Sequence, residues 1–272
     1  MCPHCRAFIT DKDRTCPYCH EQVGERAIDR RSPADALGGL IPHERFTTSM
    51  ILLINVGFYI ATVVHGMDLG NTGALMNLDS RTLYQFGAKF RASILAGEWW
   101  RLVTAGFLHG GLMHIAMNMW VFYDLGPQVE EIYGTRRYLV IYVLSSTGGF
   151  LASTYWSNSL SIGASAALFG LIGAMIALGV RSKTSMGAAI RGTYVRYAIG
   201  GLLFGLLPYF HIDNAAHIGG LATGFAVAYI AGTPRLTSSL SETAWRWAAW
   251  ATVAVTAWCF LKMYLSFSLQ AQ

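Results

Sequence analysis

Four polar side chains interrupt long apolar stretches of this 272-residue chain: His114 and Asn118, Ser165, and His217. A serine hydroxyl becomes a useful nucleophile when a neighbouring base takes its proton, and a neutral histidine does that near pH 7. Ser165 and His217 supply such a pair. The tetrahedral intermediate of acyl transfer then needs donors aimed at its oxyanion. The Asn118 amide, a His114 ring N–H and the backbone N–H of Ser165 at a helix N-terminus are of that kind. His114 and Asn118 are four residues apart, which on a helix places them on one side about one turn apart. Taken alone, a serine within Gly163-Ala164-Ser165-Ala166-Ala167 is a helix-packing residue. A histidine within a membrane span differs, because an ionisable group there is costly and marks function.

A second group lies at the start of the chain. Cys2-Pro3-His4-Cys5 and Cys16-Pro17-Tyr18-Cys19 form two CxxC knuckles separated by ten residues. Four thiolates in that pattern suit tetrahedral zinc, with His4 and His20 as substitute ligands. Four ligands close a zinc site, so the metal is expected to be structural, or to shape a docking surface for a cytoplasmic partner. No cofactor is expected for the chemistry itself. Disulfide scaffolding is not expected either, since the fifth cysteine, Cys259, lies alone in an apolar run and a reducing compartment keeps thiols available for metal.

The elements that must position these residues are membrane helices. Hydrophobic residues make up 53% of the chain and charged residues 13%, with a mean hydropathy of +0.39, against about 25% charged in soluble domains. The charges cluster between long apolar runs, so the expected solvent is a bilayer. Spans are expected at about 46–65, 107–124, 138–156, 164–180, 197–212, 215–232 and 247–267, the fifth being short and interrupted by Pro208. Residues 1–21 form the cysteine-rich module, 22–45 a polar linker, 46–235 the membrane core and 236–272 an additional C-terminal helix. The charged, cysteine-bearing start lacks the apolar region of a secretory signal. A formal charge of +5 does not indicate nucleic acid, because the basic residues scatter among loops rather than striping one face.

Basic residues precede the first span (Arg26, Arg30, Arg31, Arg45), follow the second (Arg136, Arg137), the fourth (Arg181, Lys183, Arg191, Arg196) and the sixth (Arg235, Arg246). By the positive-inside rule the N-terminus is cytoplasmic. The exception is the segment 66–106, a long outer loop with Arg81, Lys89, Arg91 and Arg101, where Trp99 and Trp100 favour the interface. The second, fourth and sixth spans then all enter from the outer face. Their N-terminal halves, which carry the four polar side chains, lie at similar depth. Small residues let the helices approach: Ala166, Gly170 and Ala174 repeat at helical spacing, and Gly220 and Gly224 do so one turn beyond His217.

Gly97-Glu98-Trp99-Trp100-Arg101, His109 with His114-Ile115-Ala116-Met117-Asn118, Gly163-Ala164-Ser165 and Ala216-His217-Ile218-Gly219-Gly220 resemble, in order, the motifs of the rhomboid family of intramembrane serine proteases. Gly126, Glu130 and Gly134 match a further loop signature, and the resemblance covers about 45–235. It implies an all-α polytopic membrane protein with a six-helix core, here with one additional C-terminal helix and the zinc-ribbon-like module in front. It also implies a Ser165–His217 dyad without an acidic third member, in a cavity open to the outer face of the plasma (inner) membrane. Asn118 and His114 are carried over as oxyanion donors, transmembrane proteins as substrates, and Phe169 as an aromatic stacking on His217. One departure is Ala166, where the family motif has glycine; its methyl is expected to narrow the approach to the oxyanion site and to affect rate rather than mechanism.

Two other readings compete. A catalytically silent relative would bind transmembrane helices, but such relatives lack the serine or the histidine. A transporter would use His109, His114, Asp213 and His217 for protons or metal, but neither internal repeats nor acidic residues deep in the spans are present.

Overall fold

The computed structural model describes residues 15–20, 45–207, 212–234 and 240–270. Cys2, His4, Cys5, most of the polar linker and Pro208 lie outside the described residues. Contacts divide the chain into Met1–Phe46 and Thr47–Gln272. In the first unit, Cys16 is buried and Cys19 half-buried on a turn closed by the His20 N–H on the Cys16 carbonyl, at 2.9 Å.

The second unit is built of helices. α1 is Phe46–Asp68; three short helices follow, α2 (Ser80–Gln85), α3 (Arg91–Leu95) and α4 (Arg101–Thr104), the last running into a 3-10 turn, Ala105–Phe107. α5 is Leu112–Trp156, α6 Ser165–Arg181, α7 Ser185–Phe204, α8 Asn214–Ala231 and α9 Leu240–Gln270. α1 and α9 are each long and apolar enough to cross a bilayer. Outward-facing Trp120, Trp156, Trp247 and Trp250 remain exposed, which suits side chains with an apolar body meeting lipid near the headgroups. The core lies around α6, whose residues from Ala166 to Met175 are all buried.

Several expected boundaries move. The second and third spans belong to one long element, α5, broken only at Gly134, which sits in the left-handed region at φ 70°. The expected basic loop is therefore a one-residue break, and Arg136 and Arg137 are helical. Arg137 is buried and pairs with both carboxylate oxygens of Glu242 on α9, at 2.9 and 2.6 Å. The fifth span is α7, beginning at Ser185 rather than 197. Thr184 caps it by accepting the Gly187 N–H at 3.1 Å, and exposed Arg191 and Arg196 dilute the hydropathy around its middle.

The segment 66–106 is likewise more than a loop. Arg101 is fully buried, donates to the Tyr84 and Ala88 carbonyls at 2.7 and 3.1 Å, pairs with Glu98, and lies 4.1 Å above the Tyr84 ring. The expected outer loop is instead built around this guanidinium, which carries five donors and about which α2 to α4 fold. α9 closes over α1 and the 3-10 turn through Phe260, whose ring meets Phe58 at 5.3 Å and Phe107 at 5.2 Å edge to face.

Glu130 shows what the loop-like signature does. From α5 its carboxylate accepts the backbone N–H groups of Thr47 and Thr48 at 3.1 and 2.9 Å and the Thr48 hydroxyl at 2.7 Å. It is a cap for α1 supplied by another helix, satisfying donors that a helix leaves open at its N-terminus. Gly126, one turn earlier, leaves room for the Thr48 side chain and the Tyr138 hydroxyl. Glu130→Ala should strand two buried N–H groups and destabilise the core by about 3 kcal/mol. Glu130→Gln, which keeps an acceptor, should lose less in thermal unfolding of the purified protein.

Candidate active site

Ser165 is the first residue of α6 and His217 lies in the first turn of α8. Their side chains meet, with the Ser165 Oγ 2.9 Å from His217 Nε2. The backbones allow this because α6 and α8 touch without intervening side chains. A Cβ on Gly220 would collide with the Ala166 carbonyl, one on Gly224 with the Gly170 carbonyl, and one on Gly173 with the Leu221 carbonyl. The small-residue spacing does bring the two helices to backbone contact.

The ring of Phe169, one turn along α6, stacks on His217 with centroids 4.1 Å apart and planes 13° from parallel. Behind it α7 presents Gly201, where a Cβ would come 2.7 Å from the Phe169 ring. The imidazole is thus held by its hydroxyl partner and by a ring that is itself backed by a glycine. His217 Nδ1 is buried without a protein hydrogen-bond partner, so among the described residues no carboxylate bonds it. For Nε2 to accept the serine proton, the neutral ring carries its own proton on Nδ1.

His114 approaches from α5. Its Nδ1 accepts the Gly110 N–H at 3.2 Å, which assigns the proton of the neutral ring to Nε2. That Nε2 faces Gly163: a Cβ there would lie 2.8 Å from it and 3.6 Å from the Ser165 Oγ. Gly163 has φ 121°, a left-handed conformation that side chains disfavour. The glycine therefore opens the space between the His114 N–H and the hydroxyl. α6 itself begins without a side-chain cap, leaving the first-turn N–H groups open to an anion.

Asn118 is buried one turn beyond His114, where its amide donates to the His114 carbonyl at 2.9 Å. It shares no hydrogen bond with Ser165 or His217, although the amide has a second N–H. His109 is fully buried with its ring edge to face against His114, centroids 5.1 Å apart. Ala166 is buried. Its methyl lies in the packing layer with Ala105, Phe150 and Ala216, over Gly149, as successive side chains of a helix point about 100° apart. Asp213 caps α8 by accepting the Ala216 N–H at 3.1 Å and also bonds the Ser153 hydroxyl. The Asp-x-x-Ala pattern ahead of an apolar run was a legible cap signal.

No group of three or more histidine, cysteine or acidic side chains is arranged to hold a metal among the described residues. Cys16 and Cys19 are described; Cys2 and Cys5 are not.

Fold and site together define a helical membrane protein with a serine and a histidine joined between two closely packed helices. The chain belongs to the rhomboid family: the family model of the rhomboid domain matches residues 96–234. It is 38% identical over 157 residues to rhomboid protease GluP of Bacillus subtilis (strain 168), covering 58% of this chain and 31% of that protein. It is 40% identical over 157 residues to the mitochondrial RHOMBOID-like protein 6 of Arabidopsis thaliana, covering 56% and 50%. With Rhomboid-like protease 2 of Toxoplasma gondii it shares 33% identity over 193 residues, covering 68% and 65%. The chain thus spans about a third to two thirds of the length of these relatives. Family membership makes it an integral membrane protein.

Proposed function

We propose that the protein is an intramembrane serine endopeptidase that hydrolyses peptide bonds in or near transmembrane segments of other membrane proteins. The observation that carries this reading is the 2.9 Å contact between Ser165 Oγ and His217 Nε2, with Phe169 fixing the imidazole plane. His217 takes the Ser165 proton as the hydroxyl adds to the scissile carbonyl, and returns it to the leaving amine. The His114 Nε2–H, the Ser165 backbone N–H and the free N–H of Asn118 would hold the oxyanion. Water then attacks the acyl-enzyme with His217 again as base. Two relatives are named as proteases, which favours this reading over a silent helix binder. The Asp213 carboxylate, engaged as a helix cap, weighs against a transporter. A transmembrane helix hides its carbonyls in its own hydrogen bonds, so substrates are single-pass segments whose ends unwind readily. In this reading the N-terminus is cytoplasmic and the site opens outward. Labelling of the detergent-purified protein by a fluorophosphonate, mapped to Ser165 by mass spectrometry, tests it. Unmodified protein with an intact fold refutes it.

The N-terminal module is proposed to hold one structural zinc through Cys2, Cys5, Cys16 and Cys19. The fit rests on the donor set and on the tight Cys16–His20 turn, which suits a thiolate knuckle. Zinc would supply the folding energy that about twenty residues cannot find in a core. Elemental analysis should give one zinc per chain, lost when Cys2 and Cys5 are both replaced by serine, with fluorophosphonate labelling retained. Metal-free parent protein refutes the ribbon.

A further inference from the structure

Lys89 lies ahead of the stretch matched to the rhomboid domain, yet it is fully buried. Its backbone pairs with Ser161 in both directions, each N–H to the other's carbonyl at 3.0 Å. Its ammonium reaches further, donating to the carbonyls of Ser157 at 2.8 Å and Ser159 at 3.2 Å. Those carbonyls stand at and just beyond the C-terminal end of α5, where a helix leaves acceptors open and its dipole favours a cation. One residue thus grips the segment 157–163, which delivers Gly163 and Ser165 to the site. Ala105 grips its far end by accepting the Gly163 N–H at 3.0 Å.

The same end of α5 carries the matching anion. Ser153, one turn before Ser157, donates to Asp213, whose other carboxylate oxygen caps α8 at Ala216, the residue before His217. Burial pulls the Lys89 ammonium below its ordinary pKa range, and the carboxylate of Asp213 works against that shift. A buried charge needs such compensation. The cation therefore sets the approach to Ser165, the anion sets the start of the His217 helix, and both are tied to one helix end.

We propose that Lys89 and Asp213 form a charged brace across the end of α5 that positions Ser165 against His217. Neither touches the reacting atoms; both are positioning residues. The inference rests on the serine-protease reading above and deepens it.

The test compares parent, Lys89→Met, Asp213→Asn and the double variant, each purified whole in detergent. A fluorophosphonate labelling rate at several probe concentrations and a thermal unfolding curve are recorded for each. Asparagine still caps a helix, so Asp213→Asn removes the charge, keeps the Ala216 cap, and turns an amide N–H toward the Ser153 oxygen in place of the carboxylate. The maximal labelling rate should fall about tenfold in each single variant, since an ångström of misplacement costs up to about a hundredfold. The probe concentration at half-maximal rate and the melting temperature should hold. The double variant should be no slower than the slower single one, because residues acting as a unit do not add. Should Lys89→Met fail to fold, Asp213→Asn alone decides the matter. Parent-like labelling by folded Asp213→Asn overturns the brace and leaves the protease reading standing. A loss of rate matched by an equal loss of thermal stability makes the pair merely structural and overturns positioning. Parent protein that does not label at Ser165 overturns the nucleophile assignment and the brace with it.

Discussion

Ser165→Ala is expected to abolish cleavage and fluorophosphonate labelling without unfolding the bundle. The substitution removes one oxygen at the first residue of α6, leaving the Gly220 and Gly224 contacts with that helix untouched. His217→Ala should lose cleavage as completely, although it also removes the partner on which Phe169 stacks and so costs some stability. In subtilisin, removing the nucleophile or the base costs about six orders of magnitude in turnover. Each residue is useless without the other, so the double variant should be no slower than either single one. Turnover of a transmembrane substrate, measured beside thermal unfolding, checks this. Comparable turnover in Ser165→Ala would sink the serine mechanism.

Gly224→Val should be the most damaging change away from the reacting groups. A Cβ at Gly224 would meet the backbone of Gly170, its carbonyl oxygen first. Backbone cannot swing aside as a flexible side chain can, so α6 and α8 must separate. The cost should exceed the about 1–3 kcal/mol usual for overpacking. Separation also pulls Ser165 from His217, so labelling should vanish even in whatever fraction remains folded. Gly200→Ala supplies the contrast, because nothing lies within 4 Å of a Cβ there. It should melt and label like the parent. A Gly224→Val protein with parent-like melting and labelling would show that backbone contact between α6 and α8 is dispensable.

The candidate site residues were more legible than the helix boundaries. Ser165, His217, His114 and Asn118 stood out because a polar side chain in an apolar span is expensive, and the glycine spacing told which helices meet. The expected loop at Arg136 and Arg137 and the start of the fifth span were misplaced for one reason. Hydropathy averages over a window, so it cannot register that Arg137 is neutralised by Glu242 more than a hundred residues away, nor that Thr184 caps a helix carrying Arg191 and Arg196 near its middle. Lys89 and Arg101 looked like outer-loop charges for the same reason.

Ala166 marks the limit of motif reasoning. Its difference from the family pattern could be read from the chain, but the direction of its methyl could not. That direction follows from the helical turn and from Gly149 on α5.

By itself the amino-acid order determined the solvent, the rough placement of apolar runs, the small-residue stripes and the residue types capable of acyl transfer. These follow from composition and from the 3.6-residue period, which are local properties. Tertiary structure alone decided the rest. It placed the Ser165 hydroxyl 2.9 Å from His217 Nε2, assigned the His114 proton through Gly110, turned Asn118 back onto its own helix, and joined Lys89 and Asp213 to one helix end. Each depends on side-chain direction and on partners distant in the chain, which no sequence period encodes.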